Sequence, residues 1–226
     1  MPATTHEPSS HASTARRTIF KSALAMSAVL LAAPLSVNAE SDFDITGKYD
    51  VLPAPQPTSS GDKIEIVDVF WYGCPHCFKF LPVMERYAAS APEYTEVRRM
   101  PAIFRDSWEP HARAFYTAKA LGKLEEIHRP IFEAIHNQGA KLATKAELRQ
   151  FFGKFGVDEQ DFEDAWTSFG VDSEVRKTLK AQRLYGVRGT PSVVVNGKYL
   201  VSTRKAGSYD NMIKVVEALV RKERES

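Results

Sequence analysis

The feature that most constrains the fold of this 226-residue chain is a pair of cysteines three positions apart, Cys74 and Cys77. The sequence contains no other cysteine, so disulfide bonds cannot staple a small scaffold and the core has to be built from apolar side chains. The pair directly follows a run of β-branched and aromatic residues at 64–72, and Pro75 suits the first position of a helix. The two thiols are therefore expected where a strand ends and a helix begins.

The segment around the cysteines predicts a strand, a helix and a second strand. Residues 64–72 lack the polar and apolar alternation of a half-exposed strand, which favours a central strand buried on both faces. A helix is expected from Gly73 to about Ala89, and a second strand over residues 95–100. Parallel strands joined by a helix form a β-α-β unit.

A long helical segment follows this unit. Residues 108–185 carry apolar positions at helical spacing throughout, and Thr144 with Glu147 forms a capping-box signature within them. The segment predicts a helical region that interrupts the sheet.

The chain returns to the sheet near its end. Asn196-Gly197 predicts a two-residue hairpin turn between strands at 192–195 and 198–201. The last helix is expected to bury one apolar face, made of Met212, Val215, Val216 and Leu219. The whole order predicts an α/β fold with one mixed sheet and an inserted helical domain.

The first 39 residues are typical of an export signal. Arg16, Arg17 and Lys21 precede an apolar run at 22–33, and small residues lead up to a cleavage site expected after Ala39. The arginine pair also fits a twin-arginine signal, and the general export route stays open. Because about a dozen apolar residues are too few to span a membrane, we expect a released protein outside the cytoplasm.

Beyond the leader the charges balance, with 27 lysine and arginine residues against 27 aspartate and glutamate residues from Glu40 onward. A balanced chain has no overall electrostatic attraction to nucleic acid or to an anionic membrane, and no basic stripe interleaved with aromatic residues occurs in the sequence. Nucleic acid is therefore not an expected partner.

The spacing of the two thiols predicts redox chemistry. Residues three apart on a first helical turn share one face, so Cys74 and Cys77 can alternate between dithiol and disulfide. The unsatisfied amides and the dipole of the helix N-terminus favour a thiolate at Cys74, which makes it the expected nucleophile. Cys77 lies one turn deeper and is the expected resolving thiol. Pro75 opens the helix, and His76 can add positive charge beside the thiolate.

Other uses of the cysteines fit the sequence poorly. A structural zinc site needs about four ligands, and His111, His128 and His136 lie in separate helical segments. Covalent haem attachment needs histidine directly after the second cysteine, where Phe78 stands. A structural disulfide across two residues closes too small a loop to stabilise the fold much. No metal site is predicted.

Two motifs carry a resemblance to a known family. The segment FWYGCPHC at 70–77 follows the buried strand, and the segment VRGTP at 187–191 precedes the hairpin. Together they resemble thiol:disulfide interchange proteins of the DsbA type, and the resemblance covers essentially the whole chain after the leader. It implies a thioredoxin fold at 40–104 and 187–226, interrupted by a helical domain at 105–186.

The resemblance also implies an activity and its setting. The protein is expected to be a periplasmic protein thiol:disulfide oxidoreductase that donates its Cys74–Cys77 disulfide to reduced exported polypeptides. That disulfide would be its redox group, with no other cofactor. A quinone-coupled protein of the inner membrane would restore the disulfide, and the protein is expected to be a monomer.

By the same similarity, Pro191 should follow a cis peptide bond and face Cys74. A cis Thr190-Pro191 bond would turn the backbone at the start of a strand and leave the main chain of Gly189 and Thr190 free to pair with an extended substrate. Proline at the first residue of a strand is also expected without any function, because it removes no hydrogen bond of the sheet there.

Asp68 is unusual because it lies in the middle of the buried strand. Burial would raise the pKa of its carboxyl and make it a candidate proton acceptor, and it is the acid we assign to this strand. Its place six residues before Cys74 matches a buried acid that the family uses in proton transfer around the second cysteine. Arg98 and Arg99 are candidate charge partners, with Arg99 preferred. The alternative is a solvated strand face with Asp68 pointing outward.

Two other kinds of function stay open. A reductase or disulfide isomerase would have a different dipeptide between the cysteines, and isomerases add a dimerisation domain. A chaperone or copper-binding module would use the groove or the thiols for binding alone, with His76 as the one histidine well placed to assist.

Overall fold

The computed structural model describes residues 43–226. The predicted signal peptide and its cleavage after Ala39 lie outside the described residues, so both stay predictions. Within the described part, no helix combines the length and the apolar character needed to cross a membrane.

One mixed sheet lies at the centre of the described chain. Its strands are β1 (Asp50–Val51), β2 (Ile64–Phe70), β3 (Thr95–Pro101), β4 (Ser192–Val195) and β5 (Tyr199–Ser202). Their order is β1-β5-β4-β2-β3, with β2 and β3 parallel and the other neighbours antiparallel. All seven residues of β2 are buried, which confirms the predicted central strand.

Helices cover the sheet and interrupt it. They are α1 (Pro75–Ser90), α2 (Glu109–Ala120), α3 (Leu124–Gln138), α4 (Lys145–Gly153), α5 (Glu159–Trp166), α6 (Phe169–Leu184), α7 (Thr203–Ala206) and α8 (Tyr209–Arg224), with a 3₁₀ turn at Asp106–Trp108 before α2. Because α2 to α6 all lie between β3 and β4, the predicted α/β class with a helical insertion is confirmed. The domain limits at 104 and 186 stay predictions.

Local signals in the sequence set several of these boundaries. Thr144 caps α4 by accepting from the amide of Glu147, and the Glu147 carboxylate accepts from the Thr144 amide, so the predicted capping box forms. Asn196 and Gly197 both have positive φ angles, 47° and 61°, which fits the predicted hairpin turn. The backbone oxygen of Gln56 also occupies the space that a Cβ at position 197 would need.

The segment before β2 adds an edge strand that the sequence does not predict. Asp50 and Val51 pair with β5, and the amide of Leu52 donates to the carbonyl of Lys198 at 2.8 Å. A two-residue strand has no periodicity to detect. Its pairing partner lies some 150 positions away, so only the folded chain defines it.

The two faces of β2 carry different side chains because residues alternate along a strand. Ile66 and Phe70 point to the side on which α1 packs, which we call the α1 face. Val67 and Val69 point to the opposite side, where they pack with Tyr185 at the end of α6, and we call this the far face. Every residue of β2 can therefore be assigned to one face.

Candidate active site

The two thiols lie where β2 passes into α1. The amide of Cys74 donates to the carbonyl of Trp71 at 3.0 Å, which closes the turn between the two elements. Cys74 is the N-cap of α1 and Pro75 is its first residue, as predicted. Both cysteines are free thiols, and the exposed fraction is 8% for Cys74 and 3% for Cys77.

The environment of Cys74 stabilises its thiolate. A hydrogen bond from Cys77 is the largest cause, and a contact with Thr190 and the backbone amides of His76 and Cys77 add to it, so that the pKa of the Cys74 thiol falls to about 5 in spite of burial. These donors converge on the helix N-terminus, where anions are favoured. Cys74 is therefore ionised at neutral pH.

Cys77 has the opposite electrostatics. Burial is the largest cause, and the neighbouring Cys74 adds to it, so the pKa of the Cys77 thiol is raised above its usual range. The reduced pair therefore holds one thiolate and one protonated thiol. Such a pair can share a hydrogen bond and can close to a disulfide when an electron acceptor is present.

His76 lies between the two cysteines and is exposed. Its Nδ1 atom is 3.1 Å from the hydroxyl oxygen of Tyr209, the first residue of α8. Tyr209 is close enough to both sulfurs that their charge adds to burial in raising the pKa of its phenol. No sequence signal links Tyr209 to the cysteines, because 133 positions separate it from His76.

The loop before β4 faces Cys74. The Thr190-Pro191 peptide bond is cis, and the Thr190 carbonyl oxygen lies 3.5 Å from the Cys74 sulfur, which can donate to it only when Cys74 is protonated. The carbonyl of Gly189 accepts from the Ser192 hydroxyl at 2.8 Å. This carbonyl is therefore occupied, contrary to the expectation that the main chain of Gly189 is free. Within residues 43–226, the amides of Gly189 and Thr190 have no hydrogen-bond partner.

Asp68 is buried on the α1 face of β2, between Ile66 and Phe70. It is 5% exposed, and its Oδ1 atom finds no hydrogen-bond partner among the described residues. Burial raises the pKa of its carboxyl to about 7, and the positive charge of Arg99 offsets part of the rise. Arg99 lies opposite Asp68 in the sheet, but its guanidinium pairs with Glu125 at 2.8 Å. Arg99 therefore acts on Asp68 through its charge, as predicted, while its direct ion pair is with Glu125.

Glu65 is a second buried acid on β2, so the prediction of a single buried acid on this strand is wrong. Glu65 is fully buried, on the far face, and its two carboxylate oxygens lie 2.8 and 3.1 Å from two guanidinium nitrogens of Arg98. Ser59 donates to it from both its amide and its hydroxyl. Burial would raise the pKa of Glu65, but these partners lower it below its usual value.

Three histidines meet around Tyr72, two residues before Cys74. His111 lies on α2, whereas His128 and His136 both lie on α3, so the expectation that the three lie in separate helical segments is wrong for the last two. The Tyr72 hydroxyl lies 2.9 Å from Nδ1 of His128, and Nε2 of His136 donates to the Tyr72 carbonyl at 2.8 Å. The ring of His111 is 6.0 Å from the Tyr72 ring. Within residues 43–226, no three His, Cys, Asp or Glu side chains are arranged to hold a metal ion. His111 and His128 are buried, and their rings contact that of Tyr72.

The chain is similar to known proteins over most of its length. Residues 99–212 match the family described as DSBA-like thioredoxin domain. The chain is 40% identical over 194 residues to a thiol:disulfide interchange protein DsbA of Azotobacter vinelandii, an alignment that covers 84% of this chain and 91% of that protein. It is 37% identical over 203 residues to the DsbA of Pseudomonas aeruginosa, covering 89% of this chain and 96% of that protein.

Solved structures share the fold. The crystal structure of Pseudomonas aeruginosa DsbA superposes with a TM-score of 0.77 at 36% identity, covering 82% of this chain and 97% of that chain. The oxidoreductase DsbA from Xylella fastidiosa superposes with a TM-score of 0.76 at 28% identity, covering 82% of this chain and all of that chain. The predicted thioredoxin fold with its helical insertion is confirmed. The chain belongs to the DsbA family of thiol:disulfide interchange proteins.

Proposed function

We propose that this protein is a thiol:disulfide oxidase that donates a disulfide between Cys74 and Cys77 to reduced, exported polypeptides. The observation that carries this proposal is the inequality of the two thiols, because the pKa of Cys74 is lowered to about 5 whereas that of Cys77 is raised. A stable Cys74 thiolate favours the reduced pair, and a pair that favours reduction gives its disulfide readily to other thiols. In this proposal the disulfide is itself the redox group.

The reaction begins when a substrate thiolate attacks the sulfur of Cys74. A bond forms between the substrate sulfur and Cys74, the bond between Cys74 and Cys77 breaks, and Cys77 leaves as a thiolate that takes up a proton. A second substrate thiolate then attacks the substrate sulfur of this mixed disulfide and releases Cys74 as a thiolate. The substrate loses two electrons and the protein gains them as two reduced cysteines. The low pKa of Cys74 makes it a good leaving group in the second step.

We assign the proton transfer at Cys77 to Asp68. Asp68 lies on the α1 face of β2, the face against which α1 and its Cys77 pack. With a pKa of about 7, the carboxyl can both release and accept a proton near neutral pH. In this role it protonates Cys77 when that sulfur leaves, and it takes the proton back when Cys77 attacks a stalled mixed disulfide.

Gly189, Thr190 and Pro191 are assigned to substrate binding. The Thr190 carbonyl oxygen lies 3.5 Å from the Cys74 sulfur, which has no proton to donate either as a thiolate or in the disulfide. The carbonyl is therefore available to an amide of an extended substrate, and the unpartnered amides of Gly189 and Thr190 offer two donors beside it. Substrate would thereby lie next to the sulfur that it attacks.

Pro75 and His76 complete the assigned site. Pro75 starts α1 directly after Cys74 and so aims the helix N-terminus at its sulfur. The amide of His76 contributes to the lowered pKa of Cys74, and its ring is assigned to stabilising the thiolate further.

The setting of the reaction is also part of this proposal. Export through a signal peptide cleaved after Ala39 would place the protein in the periplasm, where exported chains fold and disulfides persist. A membrane protein coupled to quinones would reoxidise the Cys74–Cys77 pair, and the protein would act as a monomer.

Stability in the two redox states tests the direction of electron flow. The pKa of Cys74 is lower in the folded than in the unfolded protein, so its thiolate stabilises the reduced fold above the unfolded pKa, and this stabilisation is lost as the pH falls through about 5. We expect the reduced form to unfold at higher temperature than the oxidised form at pH 7, with a gap that narrows toward pH 5. An oxidised form that is the more stable one at pH 7 would indicate a reductase.

Trapping of mixed disulfides tests the roles of the two thiols. In Cys77→Ala the Cys74 thiolate can attack a disulfide of an oxidised substrate and release one substrate thiolate, but no Cys77 is present to resolve the product, so the variant should accumulate disulfide-linked complexes with oxidised proteins of a periplasmic extract. Cys74→Ala retains only the buried thiol and should trap few. Equal trapping by both variants would overturn the assignment.

A further inference from the structure

A cleft of about 630 Å³ lies beside the loop that faces Cys74. Gly189, Thr190 and Pro191 form one of its walls, and β1 with the residues after it forms another. Leu52 and Tyr185, which pack with the far face of the sheet, also line it, so the cleft lies on the side of β2 away from α1. A volume of this size falls within the range of pockets that take small ligands or a few residues of a peptide.

The charged residues of this cleft are predominantly basic. Its lining contains three basic residues, Arg188, Arg204 and Lys205, and one acidic residue, Asp50. Lys205 is paired with Asp50, whereas Arg188 and Arg204 are exposed and form no ion pair with any other described residue. In a chain whose charges balance from Glu40 onward, two unneutralised arginines at the rim of one cleft are a local excess of positive charge.

The edge of the sheet adds a place for an extended backbone. β1 pairs with β5 on one side and, within residues 43–226, with no strand on its other side, and Val51 is 67% exposed. An unpaired edge can accept a further strand from another chain. The cleft therefore combines an open strand edge, an apolar floor and two free cations within reach of the loop assigned to substrate.

We propose that this cleft binds an acidic stretch of the substrate polypeptide close to its reacting cysteine, through Arg188 and Arg204. The proposal rests on the proposed function, since it assigns a substrate class to the same site. Complementary charge raises the rate of encounter more than the final affinity, so the preference should appear in the rate of the first thiol exchange and should weaken with salt.

The test uses the oxidised protein and three dithiol peptides that differ only in the residues flanking the first cysteine, which are glutamate, glutamine or lysine. The rate of reduction of the Cys74–Cys77 disulfide is divided by the rate at which each peptide reduces oxidised glutathione, because flanking charges also change the reactivity of the peptide thiol. We expect the glutamate peptide to react about fivefold faster than the glutamine peptide at low salt, with the ratio falling toward one at about 0.5 M salt.

Variants tie the preference to the cleft. The double substitution Arg188→Gln/Arg204→Gln should bring the ratio of glutamate to glutamine peptide close to one, and Arg188→Glu/Arg204→Glu should make the lysine peptide the fastest. Arg183→Gln, which removes an exposed arginine of α6 outside the cleft, is the matched control and should keep the ratio.

The proposal would be overturned if the glutamate and glutamine peptides reacted at equal corrected rates. It would also be overturned if the faster reaction of the glutamate peptide persisted in Arg188→Gln/Arg204→Gln, or if Arg183→Gln abolished that difference equally well. Each of these leaves the oxidase function intact, because the peptides are still oxidised. Failure of all three peptides to reduce the disulfide would count against the proposed function itself.

Discussion

The two faces of β2 each bury one carboxyl group, and they shift its pKa in opposite directions. On the far face Glu65 meets Arg98 and Ser59, and these partners hold its pKa below the usual value. On the α1 face Asp68 has an oxygen without a hydrogen-bond partner, and burial raises its pKa to about 7. The two acids are three positions apart on one strand, so partners and not burial alone decide which acid keeps its charge.

The difference separates a structural acid from a reactive one. A carboxylate that is ionised at every physiological pH and held by an arginine contributes a fixed contact. A carboxyl that titrates near neutral pH costs stability when it ionises, but it can exchange protons with Cys77. We infer that the far face uses its acid to join β2 to β3, whereas the α1 face holds its acid for chemistry.

The largest expected effect comes from removing the unpartnered acid. Between the unfolded pKa of about 4 and the folded pKa of about 7, the folded state binds a proton that the unfolded state has lost, so Asp68 costs stability progressively as the pH rises through this window. Asp68→Leu should therefore gain stability over the wild type, by about 4 kcal/mol more at pH 8 than at pH 4. Urea unfolding at both pH values measures the gain.

Asp68→Asn is the control for this measurement, because it removes the charge and keeps the shape. It should lose the same pH dependence while gaining less stability, since a polar group stays buried. A stability difference between wild type and Asp68→Leu that does not change with pH would show that Asp68 is solvated.

On the far face, removing the acid is expected to lower the stability of the protein rather than raise it. Glu65→Gln leaves the partly buried Arg98 guanidinium, 31% exposed, without its counter-charge, and the free energy of unfolding should fall by about 2–3 kcal/mol. Glu125→Gln is the matched control, because it removes the exposed acid that pairs with the neighbouring Arg99, and it should cost less than about 0.5 kcal/mol. Equal losses in the two variants would mean that burial adds nothing to the Glu65 pair.

These contrasts mark what the sequence could predict. The central strand, the start of α1 at Pro75, the capping box at Thr144 and the hairpin at Asn196 follow from local patterns, and so does the burial of Asp68 in an apolar run. Local spacing also predicts which cysteine ionises, because the helix N-terminus lies next to it.

The rest depends on contacts between distant parts of the chain. Glu65 is the second residue of β2, and only Ile64 separates it from the polar residues Asp62 and Lys63, so no local pattern distinguishes it from a solvated strand end. Its partner Arg98 lies on another strand, and Tyr209 reaches His76 from the last helix. Pairings of this kind are defined by the packing of elements, and one sequence does not carry a local signal for them.

A smaller effect is expected in the kinetics of the α1 face. When Cys77 attacks a mixed disulfide it has to lose its proton, and without Asp68 that proton has no buried acceptor. Asp68→Asn should slow the resolution of a mixed disulfide with glutathione about tenfold at pH 7. Glu65→Gln should leave this rate near that of the wild type. Slowing by both variants would mean that general loosening of β2, and not proton transfer, sets the rate.

The smallest effect is expected from the hydrogen bond between the exposed His76 ring and the Tyr209 hydroxyl, because neither partner is deeply buried. Tyr209→Phe removes the hydroxyl that holds the His76 ring and keeps the aromatic contact with Phe80. The equilibrium with glutathione should shift about twofold to threefold toward the oxidised protein, since an exposed hydrogen bond contributes little. In a His76→Ala background the same substitution should have no effect. If the equilibrium still shifted in the His76→Ala background, Tyr209 would not act through His76.

The most direct measurement is an NMR titration of the reduced protein with carbon-13 labels on the aspartate and glutamate carboxyls, in which Asp68→Asn and Glu65→Gln identify the two signals. We expect Asp68 to titrate near pH 7 and Glu65 to titrate below the usual range for glutamate. An Asp68 carboxyl that titrates near pH 4 would rule out the proposed proton transfer, because a group already ionised at neutral pH could not supply the proton that Cys77 takes up.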